Sequence, residues 1–153
     1  MNSKELLETI GKAPKLKFCD IKTLEEKQSG IYGWFEEGKL IYIGKAKNLK
    51  RRLVGDHVTG ISSKSVFVNY LRMQRFLSIT LEDVEKYPKL PRGVIESRKV
   101  REYMDSCMEV ITIVCNPEEL LEDVKQKPEK FLFEYYKGEL WNNPNKVASL
   151  ANP

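Results

Sequence analysis

The sequence predicts an α/β domain of the α+β type, a small and mainly antiparallel three-stranded sheet flanked by helices. Three observations lead there. In "GIYGWFEEGKLIYIG" (Gly30–Gly44), two alternating runs of β-branched and aromatic residues flank a glycine turn, the pattern of a β-hairpin. "MEVITIVC" (108–115) is a third run rich in β-branched residues. Around these runs apolar residues recur at helical spacing, as with Val100, Tyr103, Met104 and Cys107 at i, i+3, i+4 and i+7.

Taken in order, residues 3–12 read as a short helix and "KLKFCDI" (15–21) as a strand. "TLEEKQSG" (23–30) carries a capping box, Thr23 with Glu26, and reads as a helix that stops at Gly30. In the hairpin, Ile31, Phe35, Ile41 and Ile43 form one face, while Tyr32, Trp34, Leu40 and Tyr42 form the other. This pattern places Phe35 opposite Lys39, with Glu36-Glu37-Gly38 as a three-residue loop and Tyr32 directly across from Tyr42. A two-residue Glu37-Gly38 loop would instead send the two tyrosines to opposite faces.

Asn48 is placed to cap a helix from Leu49 to Asp56, with Leu49 and Leu53 on its apolar stripe and Arg52 at the stripe's edge. "VFVNYLRMQRFLSI" (66–79) reads as a helix, and the two prolines of "EKYPKLPRG" (85–93) make that stretch irregular. A helix fits 94–107. "NPEE" (116–119) offers Asn116 as cap for a helix beginning at Pro117, and another helix begins near Pro128 and ends near Gly138.

A length of 153 residues suits one domain, able to bury a core without metal or disulfide staples. The cysteines Cys19, Cys107 and Cys115 form no CxxC pair and His57 is the single histidine, which argues against a structural zinc site. An odd cysteine count fits a reducing cytoplasm. No apolar run is long enough to span a bilayer, and the N-terminus lacks the apolar stretch of a signal peptide, so the expected location is cytoplasmic without membrane contact.

The net charge of +4 is modest, but the charge is sorted along the chain. Lys39 to Arg52 holds six basic residues and no acidic one, whereas Pro117 to Glu139 holds seven acidic residues against four lysines. A polyanion-binding surface beside a metal-binding carboxylate would look like this, and so would an ordinary solvated surface.

Gly30-Ile31-Tyr32 and Tyr42-Ile43-Gly44, nine residues apart, together with "KAKNLKRRL" and the later "EKFLFEYYKGELWN", resemble the GIY-YIG nuclease superfamily. The resemblance extends to small free-standing GIY-YIG endonucleases and to the N-terminal nuclease domain of the bacterial excision-repair incision subunit. It implies the GIY-YIG fold, with 1–29 as an N-terminal extension packed on the core. Residues 30–57 and 108–143 would be the catalytic core. Residues 58–107 would be a helical insert where substrate choice resides, with Arg72, Arg75, Arg92, Arg98 and Arg101 able to reach a duplex.

The resemblance further implies a divalent-metal-dependent endonuclease acting on DNA phosphodiesters. Arg52 corresponds to the family's helix arginine and Glu129 to its metal-binding glutamate, with Mg²⁺ or Mn²⁺ as one ion per active site. Tyr32 would act as general base, with Tyr42 and Lys45 orienting phosphate and water, His57 relaying a proton and Asn142 serving as a scaffold. Lys47, Lys50 and Arg51 would bind DNA.

Elementary chemistry agrees with this set. Phosphodiester hydrolysis needs an activated water, neutralised phosphoryl charge and a stabilised leaving oxygen. A free phenol has a pKa near 10 and is a poor base, but neighbouring positive charge lowers that value. Each residue also has a plainer reading: strand tyrosines as half-core, the basic helix as a solvated face, and Glu129 as a favourable charge at a helix start. Glu134 rivals Glu129 as a metal ligand but stands closer to Asn142 than the family spacing. A non-catalytic nucleic-acid-binding module on the same scaffold is the alternative function, with a purely structural protein behind it. The sequence leaves open monomer or homodimer, and nicking or double-strand cutting.

Overall fold

A computed structural model describes residues 1–57, 97–136 and 140, and for 55–57 and 97–100 it describes the backbone alone. The chain opens with helix α1 (Ser3–Lys12). Its start is fixed by a capping box in which the Asn2 side chain accepts from Glu5 N and Glu5 in turn accepts from Asn2 N, both at 2.9 Å. Strand β1 (Leu16–Lys17) runs into a 3₁₀ turn over Phe18–Thr23. The hairpin strands are β2 (Gly30–Glu36) and β3 (Lys39–Ala46), and β3 leads into a helix that is π-wound over Arg51–His57. Helix α2 (Ser97–Cys107) then precedes strand β4 (Met108–Val114), and helix α3 spans Pro128–Tyr135.

The four strands form one antiparallel sheet in the order β1-β4-β2-β3. The sheet is thus one strand larger than expected, because the short β1 pairs with the outer edge of β4 through Leu16–Val110 and Lys17–Glu109. β2 is internal, paired on both sides, so its residues 30–34 are buried in an unbroken run.

Each face of the sheet carries its own apolar cluster. Tyr32, Trp34, Ile41 and Tyr42 pack with Leu49 and Leu53 of the basic helix and Met104 of α2. On the opposite face Ile31, Leu40, Ile43 and Ile111 pack with Leu6 and Ile10 of α1 and Leu132 of α3. The helices at 3–12, 97–107 and 128–135 agree with the periodicity of the sequence, as does the strand at 108–114.

Three local expectations are corrected. The strand expected over 15–21 stops at Lys17, where the chain turns into the 3₁₀ segment that buries Ile21. No helix follows Thr23: its hydroxyl donates backwards to Asp20 O at 2.6 Å instead of capping forwards, and Lys27 takes a positive φ of 60°. No helix follows Asn116 either. Its side chain accepts from Glu118 N and its carbonyl from Glu119 N, both at 3.1 Å, which closes a turn. The loop then shuts on itself through Leu121 N to Gln126 O at 2.9 Å, with Leu121 buried in the core. The helix expected over 66–79 lies outside the described residues, as do the prolines of 85–93.

Candidate active site

The hairpin connection sets the geometry of the site. It is a two-residue turn, with Glu36 opposite Lys39, and both Glu37 (φ 49°) and Gly38 (φ 81°) take positive φ. Those angles suit the primed turns that match strand twist. The expected three-residue loop and the direct Tyr32–Tyr42 pairing are therefore corrected.

A β-bulge reverses the consequence that such a turn would otherwise have. Phe35 pairs with Leu40, but Trp34 pairs with Tyr42, so Ile41 is an extra residue on β3. Beyond the bulge the alternation is reset. Ile41 joins Trp34 and Tyr42 on one face while Leu40 goes to the other, the reverse of their expected sides. Both tyrosines end on the same face, with Tyr32 opposite Gly44 and Tyr42 two pairs along, opposite Trp34. Their rings stack at 6.3 Å between centroids and 21° between planes.

Tyr32 crosses over Gly44 so closely that a Cβ there would lie 2.3 Å from both Cζ and Oη of the phenol. The glycine of "YIG" is therefore the space that the tyrosine ring occupies. Gly44→Ala is expected to displace the Tyr32 ring and to lower stability by about 1–3 kcal/mol, the usual range for overpacking. Urea unfolding checks the loss, and an unchanged midpoint would show that the ring yields without cost.

The basic helix brings Arg52 to the same phenol. Asn48 accepts from Arg51 N at 3.0 Å through its side chain and from Arg52 N at 3.0 Å through its carbonyl, which is the expected cap. Leu49 and Leu53 are buried beneath the helix, which anchors it against the tyrosine face. The half-buried Arg52 donates from Nε to Tyr32 Oη at 3.4 Å. This guanidinium therefore stands beside a phenol that is only 1% exposed.

The acidic side of the site comes from α3. Pro128 occupies its first turn and is buried, which fixes where the helix begins. Glu129, also in that turn, points its carboxylate at Lys45, with Oε2 at 3.5 Å from Nζ. Lys45 directly follows Gly44, so the residue after the tyrosine's gap reaches the glutamate.

Lys45 also bonds Glu118 at 2.9 Å, and Glu118 is gripped from its other oxygen by Lys127. Glu118 was not among the sequence candidates. Only a residue-level fold of the loop after Asn116 could have found it. The Lys127 and Lys45 ammonium groups hold its carboxyl down to about 2. Glu118 in turn raises the Lys45 ammonium, with Glu129 adding to the effect.

A carboxyl lowered from 4.5 to about 2 on folding contributes stability that is present above 4.5 and lost as pH falls toward 2. Glu118→Gln is therefore expected to flatten the stability profile across that window. The group is solvent-exposed, so the change is expected to be small, and thermal melts at stepped pH measure it.

The remaining expected residues divide. Lys47 and Arg51 are exposed on the basic segment, while Lys50 is engaged by Glu26 at 3.0 Å. Glu134 is exposed and accepts from Gln126 Nε2 at 2.6 Å. His57 lies at the end of the π-wound helix, its side chain outside the described residues, and Asn142 lies outside them altogether. Arg101 is exposed on α2. Among the described residues there is no group of three or more His, Cys, Asp or Glu placed to hold a metal, and no helix long and apolar enough to cross a membrane.

Residues 28–89 match the family described as the GIY-YIG catalytic domain. No curated protein and no solved structure gives a match to the chain. The matched stretch contains Tyr32, Tyr42, Lys45 and Arg52. Glu129 lies beyond it and is joined to it by the Lys45 ion pair.

Proposed function

We propose, from the match of residues 28–89 to the GIY-YIG catalytic domain, a divalent-metal-dependent endonuclease that hydrolyses DNA phosphodiester bonds at the junction of the tyrosine face and α3. The observation that supports this reading best is a pair of contacts on neighbouring residues. Arg52 meets Tyr32 at 3.4 Å over Gly44, and Lys45 meets Glu129 at 3.5 Å immediately after it.

The donor chemistry suits Mg²⁺ or Mn²⁺. These hard ions bind through one or two carboxylates, keep several waters and share substrate phosphate oxygens, so a full protein cage is not required. Glu129 is a carboxylate already neutralised by a cation, Lys45, and it is open to solvent, with 27% of its side chain exposed. Glu129 would hold the ion, which when bound stabilises negative charge on the leaving oxygen.

The chain's own side chains do the rest. Tyr32, whose Oη accepts from Arg52 Nε, acts as the phenolate and takes a proton from the attacking water, becoming the neutral phenol. Arg52 stabilises the phenolate before that transfer and braces the non-bridging phosphate oxygens with a planar, permanently charged fork. Tyr42, stacked on Tyr32, holds that ring in place. Lys45 has a hydrated ammonium on the rim and orients phosphate and water. His57 as proton relay and Asn142 as scaffold complete the proposed set. Lys47 and Arg51 offer exposed charge to the backbone of DNA, and Lys50 joins them at the expense of its Glu26 pair. Substrate choice is assigned to residues 58–107.

The test is cleavage of supercoiled plasmid by the purified chain. Nicked or linear product with Mg²⁺ and none with EDTA is the expected result. Salt-sensitive DNA binding without cleavage under any divalent metal would instead establish the non-catalytic module.

A further inference from the structure

Glu118 is the charged neighbour of the site to which neither the sequence motif nor the mechanism gives a task. It comes from the turn closed by Asn116, far in sequence from β3, yet it makes the shorter of the two bonds to Lys45, 2.9 Å against 3.5 Å to Glu129. One ammonium thus bridges two carboxylates, one proposed to hold the metal and one not. An ammonium on Glu129 and a divalent cation on Glu129 compete for the same charge. For the cation to bind, Lys45 must leave Glu129 and keep a partner elsewhere.

We propose that Glu118 is a positioning residue that takes up the Lys45 ammonium when a divalent cation occupies Glu129, so that it sets how readily the site loads. The proposal rests on the reading of Glu129 as the metal ligand. Lys127 is the third member, because it holds the other oxygen of Glu118 and competes with Lys45 for that carboxylate. The arrangement is a relay of exposed charges with 44% of the Lys45 and 55% of the Glu118 side chain open to solvent, so its members can exchange partners without rearranging the core. The same exposure limits the effect to that of surface ion pairs, about two- to fivefold in an equilibrium constant.

Titration of the full-length chain with Mn²⁺ alone, without DNA, followed by the paramagnetic resonance of free Mn²⁺, measures loading directly. Glu118→Gln is expected to weaken Mn²⁺ binding by about two- to fivefold, and Lys127→Met to strengthen it by a similar factor. Lys45→Met is expected to remove the competitor and strengthen binding, and in that background Glu118→Gln is expected to change nothing further.

If Glu118→Gln weakens binding equally whether or not Lys45 is present, Glu118 is a direct ligand or a distant field and the proposal is overturned. No effect of Glu118→Gln in the native background overturns it as well. Glu129→Gln separates the two levels of the argument: retained Mn²⁺ binding in that variant sinks the metal-ligand reading and this proposal together. Lost binding in Glu129→Gln with uncoupled Glu118 and Lys45 sinks this proposal alone. Lys127→Met lies at an exposed ammonium and keeps the test decisive should a change at Glu118 disturb the loop.

Discussion

Glu129→Gln is expected to lower plasmid cleavage by on the order of a thousandfold while leaving the melting temperature nearly unchanged. The substitution keeps the size of the side chain and removes only its charge. Glu129 sits in the first turn of α3 and is partly exposed, so the helix keeps its buried anchors Pro128 and Leu132. Its one described ion pair, to Lys45, is a surface interaction of about 1 kcal/mol or less. A large loss of activity with little loss of stability therefore separates a role in the reaction from a role in the fold. Cleavage at the native rate by Glu129→Gln would mean that the acidic member of the site is another residue.

The second large effect is expected at Arg52. Arg52→Ala should lower cleavage by roughly a thousandfold, in line with arginines that stabilise phosphoryl transition states. Arg52→Lys should recover only a small part of this, because a lysine offers a point charge where the guanidinium offers a fork that can face both the phenol and a phosphate. Tyr32 and Arg52 touch, so their effects should not add. Tyr32→Phe in the Arg52→Ala background should cost far less than Tyr32→Phe alone. Single-turnover cleavage of a labelled duplex measures all four proteins. Additive losses would show that the two side chains act independently.

Much of this was legible in the sequence because the relevant signals are local. Asn48 as a cap, Leu49 and Leu53 as one stripe, and the β-branched run at 108–114 each depend on a few neighbouring residues. The hairpin is instructive because both tyrosines were expected on one face, and they are, but by another route. A two-residue turn shifts the pairing by one place and the bulge at Ile41 shifts it by one more, which returns both rings to a shared face. Alternation within each strand cannot reveal a bulge, since the extra residue is itself apolar and buried. Gly44 could have disclosed the register, because the residue opposite Tyr32 has no room for a side chain.

The failures were of a different kind. Thr23 with Glu26, and Asn116 with Glu119, are sound capping signals, but a cap only permits a helix. In each case the polar side chain closes a turn instead. Glu118 was beyond reach for the same reason. Its place beside Lys45 depends on how the loop from Asn116 to Lys127 folds back, and no periodic pattern encodes that.

The central claim is that the Tyr32–Arg52 pair and Glu129 serve one reacting phosphate. A crystal of the chain soaked in Mn²⁺ and read by anomalous scattering addresses it most directly. The expected result is a single peak at the Glu129 carboxylate, on the side open to the Tyr32 hydroxyl and the Arg52 guanidinium. A peak bound elsewhere, or a Glu129 carboxylate more than about 10 Å from that hydroxyl with the ion in place, would contradict it.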